Sequence, residues 1–559
     1  MGSMRGNNKG ATRRRVLVTG VSAGALALAG CIGGNGDDDD DGGIIDPDEY
    51  DYERDEPDDE DAAMDSTMVY TQELERDDDF DPVVSNDAYS MQVAELLYDS
   101  LFEFDYEYEL QPKVAVDFPD VERDDTRFIY EIHDGIEFHN GDELTADDVA
   151  HSFLAPVEEE TPNATSYDMI EDIEVIDDTQ LQVDLEYPYG PWEMFNQGVN
   201  IVPEDARTDD VDAFNTDPIG SGPFVWSDYQ MGEYVELERN DDYWDDPLPY
   251  LAEIRFEDNV DDSSRVGEIL AGDTDAIGDV PNADWDEIDG EDDINAHVAE
   301  SPSVAYIFFN CNDGAGTANA DVRRGIAHAF SATDYVETYL NNAAAPVVTP
   351  TSPITNELWD FPLDEWEDAY PDYDPDLAQE LLDENAPDDW NPTFMAPDDE
   401  RATLAERVAQ RLDEIGYDME VQTMAFDQML DQTIYSEGDP DDYELYISGW
   451  TGGPDPDQYL YSNFHESQEE INQGHHYEGS DDFHDNIIEA RETGDQAERE
   501  ELYTDVIGEI IEEVPALPIF TEHNSMATGE HIKDMHVHPQ MQYNPHVVSG
   551  DGNVWVDDD

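Results

Sequence analysis

The chain has 559 residues but only two cysteines, Cys31 and Cys311. That number excludes the multi-bridge disulfide framework by which small secreted domains are held together. Lysine is almost missing, occurring only at Lys9, Lys113 and Lys533, and all 22 basic residues face 144 acidic ones for a formal net charge of −122. A surface of that sign repels a phosphate backbone, so nucleic acid is excluded as a partner. A bilayer-spanning helix needs about 20 apolar residues, and the N-terminal apolar run, Val16 to Gly30, has 15. No H-E-x-x-H, G-x-S-x-G or P-loop occurs, which removes the strongest local signatures of an exported hydrolase. No internal repeat is visible, which argues against a cell-envelope protein built from repeated β modules.

What is present points to a large folded protein. The length implies two or three domains. Aromatic residues at 10% and many periodic apolar segments separate the chain from disordered acidic polymers. Self-repulsion at this charge destabilises a compact state at ordinary ionic strength. In molar salt the Debye length falls to about 3 Å and the repulsion largely disappears. The composition therefore implies a hypersaline habitat, with most Asp and Glu runs forming a hydrated outer face.

The N-terminus reads as an address. Thr12-Arg13-Arg14-Arg15-Val16-Leu17 resembles the twin-arginine export signal, with Arg13 and Arg14 as the pair. The apolar run ends Leu28-Ala29-Gly30-Cys31, which resembles a lipobox in which Cys31 carries the lipid. A signal cleaved without lipidation, or left uncleaved as an anchor, is the alternative. Residues 32–65 are rich in Gly, Asp and Glu and poor in apolar anchors, so they read as a disordered acidic tether. With Cys31 lipidated, Cys311 has no intramolecular partner and reads as a buried small hydrophobe.

Within the folded part, Asp217 to Trp244 reads D-P-I-G-S-G-P-F-V-W-S-D-Y-Q-M-G-E-Y-V-E-L-E-R-N-D-D-Y-W. Gly220 and Gly222 can take positive φ at no Cβ cost, and Pro218 and Pro223 fix φ beside them, so the backbone should turn sharply in a stiff corner before a strand from Phe224. Tyr234 to Arg239 alternates, with Val235 and Leu237 on one face. Thr145 is a natural N-cap for a helix from Ala146. Helices are expected over Tyr89–Leu101, Asp376–Leu382, Arg401–Ile415 and Gln496–Ile511, and a strand over Tyr443–Ser448. His133, His139 and His151 fall within 19 residues, but their spacing matches no compact metal-ligand motif.

Several of these blocks resemble the peptide/nickel family of ABC-importer solute receptors, solute-binding protein family 5. They are Y-D-S-L-F-E-F-D, the long run F-I-Y-E-I-H-D-G-I-E-F-H-N-G-D-E-L-T-A-D-D-V-A-H-S-F, the G-S-G-P-F corner with R-N-D-D-Y-W, and a strand followed by D-V-R-R-G-I-A-H-A-F. The resemblance extends over roughly Val69 to Phe520. It implies an α/β, two-lobed periplasmic-binding-protein-like fold of class II, of the large peptide-receptor type with an extra inserted subdomain. The implied division is residues 1–31 as signal with lipobox and 32–65 as tether. The first lobe takes 66–104, 213–300 and 515–559, the inserted small subdomain 105–212, and the second lobe 301–514. It further implies a receptor rather than an enzyme, without cofactor and monomeric. Such a receptor is lipid-anchored on the outer face of the cytoplasmic membrane and delivers a small ligand to ABC permease subunits.

A strand ending Gly449-Trp450-Thr451-Gly452-Gly453-Pro454-Asp455-Pro456 puts permissive backbone and one large ring at a sheet edge, where Trp450 can stack on a ligand. The other reading is a buried Trp beside a structural turn. In dipeptide-binding relatives the similar loop carries an Asp, where Gly453 stands here, that grips the peptide's amino group. Asp455 is the candidate substitute, or the ligand lacks an amino terminus. Arg401 is the candidate partner for a peptide carboxylate, the alternative being a salt-exposed structural role. No metal site is expected. His536 and His538, two apart and so sharing one face of a strand, are the alternative for a nickel ligand. A di- or oligopeptide is the expected ligand, with nickel or an oligosaccharide as alternatives.

Overall fold

The computed structural model describes residues 57, 63–64, 66–74, 80–85 and 87–557, apart from 107, 124, 246–247, 292, 341–342, 389, 400, 437, 441 and 549–551. The export arginines Arg13 and Arg14, the lipidation candidate Cys31 and nearly all of the tether lie outside the described residues.

One twelve-stranded mixed sheet runs through both lobes. In the first lobe, Ser66–Gln72 pairs in parallel with Leu251–Asp258 and with Ala276–Gly278, and the antiparallel strands Tyr234–Arg239 and Phe224–Gln230 extend the edge. In the second, Thr393–Pro397 pairs in parallel with Glu420–Met424 and Leu445–Thr451, and Ser303–Phe309 runs antiparallel beside the latter. The strand Ala516–Gly529 joins them. Its first half pairs with Ser303–Phe309 and Ala344–Pro346, and its second half with Ile294–Glu300 and Ala276–Gly278. The chain thus crosses between lobes at two adjacent places, Glu300–Ser303 and Thr521–His523, tied where Thr521 Oγ1 donates to the Ser301 carbonyl at 3.0 Å.

Separate cores follow from separate apolar faces. Met68, Tyr70, Val235, Leu237, Ile254 and Phe256 anchor the first-lobe core. The second-lobe sheet is apolar on both faces. Tyr306, Phe308 and Tyr446 look one way and Ile307, Phe309, Leu445 and Ile447 the other, so helices cover both sides. A four-stranded antiparallel sheet, within Asp120–Leu185, packs on the helix Ala146–Glu158 to make a third core around Phe128, Tyr130, Phe153 and Trp192. That helix begins in a capping box, in which the Thr145 backbone N–H donates to Asp148 at 2.9 Å.

The G-S-G-P-F corner differs from expectation in an informative way. Neither Gly220 nor Gly222 has positive φ. Both are glycine because the backbone passes against the end of helix Ala88–Leu97. A Cβ at Gly220 would sit 2.7 Å from the Leu97 carbonyl carbon, and one at Gly222 2.6 Å from it. Gly222 N–H donates to Leu97 O at 2.9 Å. His139, from the F-H-N-G turn, clamps the corner: its Nδ1 accepts from Gly220 N–H at 3.2 Å and its Nε2–H reaches Gly222 O at 3.1 Å. Asp99, from the Y-D-S block, accepts from Tyr243 Oη at 2.7 Å and Trp244 Nε1 at 2.8 Å. Motifs far apart in sequence therefore meet at one joint.

Candidate ligand site between the lobes

Two cavities lie along the line where the chain crosses. The first, of about 630 Å³, is walled by residues of both lobes and of the small sheet's part. The first lobe supplies the helix Ala88–Leu97, with Met91 and Glu95 on the cavity side, and the C-terminal turn with Tyr543. The small sheet's part supplies Tyr167 and Asn200, and the second lobe Ser303 and Thr451. The second, of about 530 Å³, is formed by Ser303–Ala305, Ser448–Thr451, Phe520, Asp399 and Arg401, with Asp262 from the first lobe. Ser303, Thr451 and Glu522 line both, so the two spaces meet at the crossing strands.

The charge of the first cavity is one-sided. Among the described residues its wall holds Asp87, Glu95, Asp279 and Glu522 and neither Lys nor Arg. Burial pushes the Glu95 carboxyl up to about 8, and the nearby Glu103 charge pushes the same way, against the hydrogen bond from Asn200 Nδ2 at 2.9 Å. Burial likewise raises Asp279, whose Oδ2 accepts from Tyr89 Oη at 3.2 Å.

Of the residues singled out in the sequence, Gly449, Trp450, Thr451 and Arg401 come together around the second cavity. Arg401 already has a partner: its Nε lies 3.0 Å from Asp399 Oδ1 and its Nη2 2.5 Å from Oδ2, and its guanidinium sits 4.4 Å from the Phe426 ring centre. Trp450 packs its ring against the second-lobe core, while its buried Nε1 has no acceptor among the described residues. Gly452 is behind the wall. Its N–H donates to Pro302 O at 2.9 Å, and a Cβ would lie 2.8 Å or less from Tyr459 ring carbons.

The model for bacterial extracellular solute-binding proteins, family 5 Middle, matches residues 109–470, more than half of the chain. The chain belongs to this family. The oligopeptide-binding protein AppA of Bacillus subtilis is 24% identical over 491 residues, covering 82% of this chain and 87% of AppA. Among solved structures, DppA from Helicobacter pylori in complex with the peptide STSA superposes with a TM-score of 0.70 at 22% identity, over 89% of this chain and 99% of DppA. NikZ from Campylobacter jejuni in complex with Ni(L-His) does so with a TM-score of 0.69 at 20% identity, over 86% and 98%. These likenesses establish the two-lobed α/β fold. Among the described residues no helix is long and apolar enough to cross a membrane.

In this family 5 protein two sequence-based expectations need correction. Asp455 does not face either cavity. It is fully buried, and both carboxylate oxygens are taken by Arg499 at 2.7 Å. The loop turns inward because Gly453 is itself buried, its carbonyl accepting from Thr355 Oγ1 at 2.8 Å and its open side filled by Gln458. His536 and His538 do not share a strand face, since the nearest strand is Ile532–Lys533 and both follow it in a loop. Both ring nitrogens of the buried His538 are engaged: Nδ1 accepts from Gln540 N–H at 2.9 Å, and Nε2 reaches Asp105 O at 3.1 Å. Burial brings its imidazole down to about 4. No group of three or more metal-ligating side chains occurs among the described residues.

Glu95, Asn200, Tyr167 and Tyr543 escaped sequence reading. The helix bearing Glu95 was legible by its apolar face alone. Which of its polar residues faces a cavity depends on the C-terminal turn, more than 440 positions away, that packs beside it.

Proposed function

We propose that this protein is a lipid-anchored extracellular receptor of an ABC-type importer, capturing a di- or oligopeptide between its lobes. The observation that carries the ligand class is the first cavity, whose described wall holds four carboxylates and neither Lys nor Arg. Such a space stabilises a ligand's ammonium group and repels anions. The adjoining cavity offers Ser303, the Trp450 side chain and the Asp399-paired Arg401, a suitable surround for the rest of an extended peptide. Membership of this family and the likeness to the oligopeptide-binding protein AppA support a receptor; the anchor follows from Leu28-Ala29-Gly30-Cys31 and export from Arg13-Arg14.

In this reading residues 105–212 form the inserted subdomain and 301–514 most of the second lobe. The boundary of the last first-lobe segment moves from 515 to about Thr521, because Ala516–Phe520 pairs with second-lobe strands. Closure then bends the two adjacent crossings, a hinge motion. The receptor acts as a monomer that docks on permease subunits.

Protein purified in molar salt is to be screened by mass spectrometry for retained small molecules, followed by calorimetric titration. Peptides with free amino termini are expected to bind. Retention of neutral oligosaccharides or of a nickel chelate, with peptides excluded, would overturn the ligand class and leave the receptor role standing. Replacing Cys31 by Ser is expected to release the protein from membranes; unchanged fractionation and processing would rule out the lipid.

A further inference from the structure

We propose that Glu95, with the rings of Tyr167, Tyr543 and Phe104, forms the subsite that receives the ligand's ammonium group, doing from the first lobe what a carboxylate at position 453 would do from the second. This deepens the peptide reading and rests on it. Position 453 is sealed: Gly453 is buried under Gln458 and bonded to Thr355. The nearest carboxylate in sequence, Asp455, is closed off by Arg499. A desolvated ammonium in a closed cleft still needs an anion.

Glu95 meets that need by placement. It sits on the rigid helix Ala88–Leu97, whose packing against the C-terminal turn Met541–Tyr543 is fixed by a bond from Gln92 Nε2 to Met541 O at 2.9 Å. Its Oε1 is oriented by Asn200 Nδ2 at 2.9 Å, and no other protein donor reaches the carboxyl among the described residues. Phe104, Tyr167 and Tyr543 line the same cavity, with Phe104 and Tyr543 edge to face at 6.4 Å. A carboxylate beside several aromatic faces suits an organic cation, through ion pairing and cation–π attraction together.

The other charged and titratable groups facing Glu95 do not neutralise it. Glu103 adds negative charge, and Lys113 is already bound to Asp245 at 3.0 Å and Glu103 at 3.6 Å. Asp99 is held by Tyr243 and Trp244, and the neighbouring His546 is kept neutral chiefly by burial. A carboxyl raised to about 8 is mostly protonated at neutral pH. The binding step is then Glu95–COOH plus R–NH₃⁺ going to the carboxylate–ammonium pair and one released proton.

The probes are a pool of mixed-sequence tetrapeptides with free amino termini and the same pool N-acetylated, each applied to the full folded chain in molar salt. The best-retained sequence is then titrated in buffers of different ionisation enthalpy. Wild type is expected to retain the free pool and not the acetylated one. It should release close to one proton per site at about pH 6–7, where Glu95 gives up its proton, and take up about one near pH 10, where the free amine, ordinarily near 8, must be protonated to form the pair. Glu95→Gln is expected to lose affinity about 30-fold or more and to abolish proton release. Tyr543→Leu, which keeps the carboxyl, should lose about 5-fold while still releasing the proton. If wild type retains neither pool, the peptide reading itself falls. If it retains the free pool and Glu95→Gln binds equally well, or acetylated peptides bind as tightly, this assignment is overturned while the peptide reading survives.

Discussion

Arg499 grips Asp455 through two parallel hydrogen bonds of 2.7 Å, with the two side chains 2% and 0% exposed. Arg499 also donates to Ala490 O at 2.9 Å and to Tyr503 Oη at 3.0 Å. At the end of the preceding helix, Phe483–Arg491, Arg491 is ion-paired with the buried Asp457 and lies 3.8 Å from the Tyr461 ring centre and 4.8 Å from that of Tyr189. Tyr189 belongs to the turn Pro188–Trp192 of the small core, and the next residue, Gly190, donates to Arg491 O at 2.9 Å. The D-P-D sequence after the Trp450 strand is therefore a joint between parts of the molecule, and its charges are structural.

Asp455→Asn accordingly leaves a buried guanidinium without its anion. The variant is expected to be less stable by about 3–5 kcal/mol, the usual consequence of removing one member of a buried pair, measured by urea denaturation in molar KCl. Peptide affinity of the fraction that remains folded should be nearly unchanged. Unaltered stability together with lost binding would return Asp455 to the ligand site.

Gly220→Ala and Gly222→Ala both drive a methyl into the Leu97 carbonyl. Each is expected to destabilise by roughly 1–3 kcal/mol through overpacking and to lower Tm. Gly267→Ala, where no atom lies within 4 Å of the added methyl, lies inside the helix Asp262–Ala271 and should raise stability by up to about 1 kcal/mol. Equal effects at all three positions would contradict the close-approach explanation.

Arg401 is already neutralised by Asp399 across a partly exposed pair. Arg401→Ala should therefore weaken peptide binding by no more than about 1 kcal/mol, as is usual for exposed charge contacts. The test is titration with peptides carrying free and amidated carboxyl termini. A loss of several kcal/mol confined to the free carboxylate would mean that Asp399 releases Arg401 when ligand enters.

Burial holds His297 and His475 at about 3 and His538 at about 4, against an ordinary imidazole value near 6.5. These folded values are depressed, so the unfolded chain binds protons first as pH falls. Stability from these groups is complete above about pH 6.5 and declines as pH falls from there to about 4 for His538 and about 3 for His297 and His475, by at most about 1.4 kcal/mol per pH unit for each. Glu95 acts oppositely: its raised folded value costs stability as pH rises from about 4.5 to 8. Denaturation across pH at constant molar salt should show the acid-side slope, and His475→Phe should flatten it.

With a net charge of −122, Tm is expected to climb steadily as KCl rises from about 0.1 M to about 2 M, as screening removes surface repulsion. A flat profile would rule out surface repulsion as a limit on this fold's stability.

The local elements were legible in the sequence because they depend on short-range patterning. The strand Tyr234–Arg239 follows its alternation, and Thr145 starts its helix as its side-chain chemistry requires. The glycine-rich corner was legible as a stiff turn that uses glycine, but for the wrong reason. Its φ values are ordinary, and the demand comes from Leu97, more than 120 residues earlier. The loop after Trp450 was legible as the end of a strand, while the direction of its carboxylates was not.

By itself, then, the sequence determined the order of helices and strands, the acidic surface and the family's block pattern, since each is written in spacing or composition. Only tertiary structure decided which charges are available to a ligand. Asp455 and Glu95 are both single carboxylates beside apolar residues, indistinguishable in one dimension. Arg499 packs against the first, whereas the second has Asn200, three aromatic rings and an open cavity. A carboxylate's role is set by whether a counter-charge shares its low-dielectric surroundings, and that neighbour arrives only when distant segments fold together.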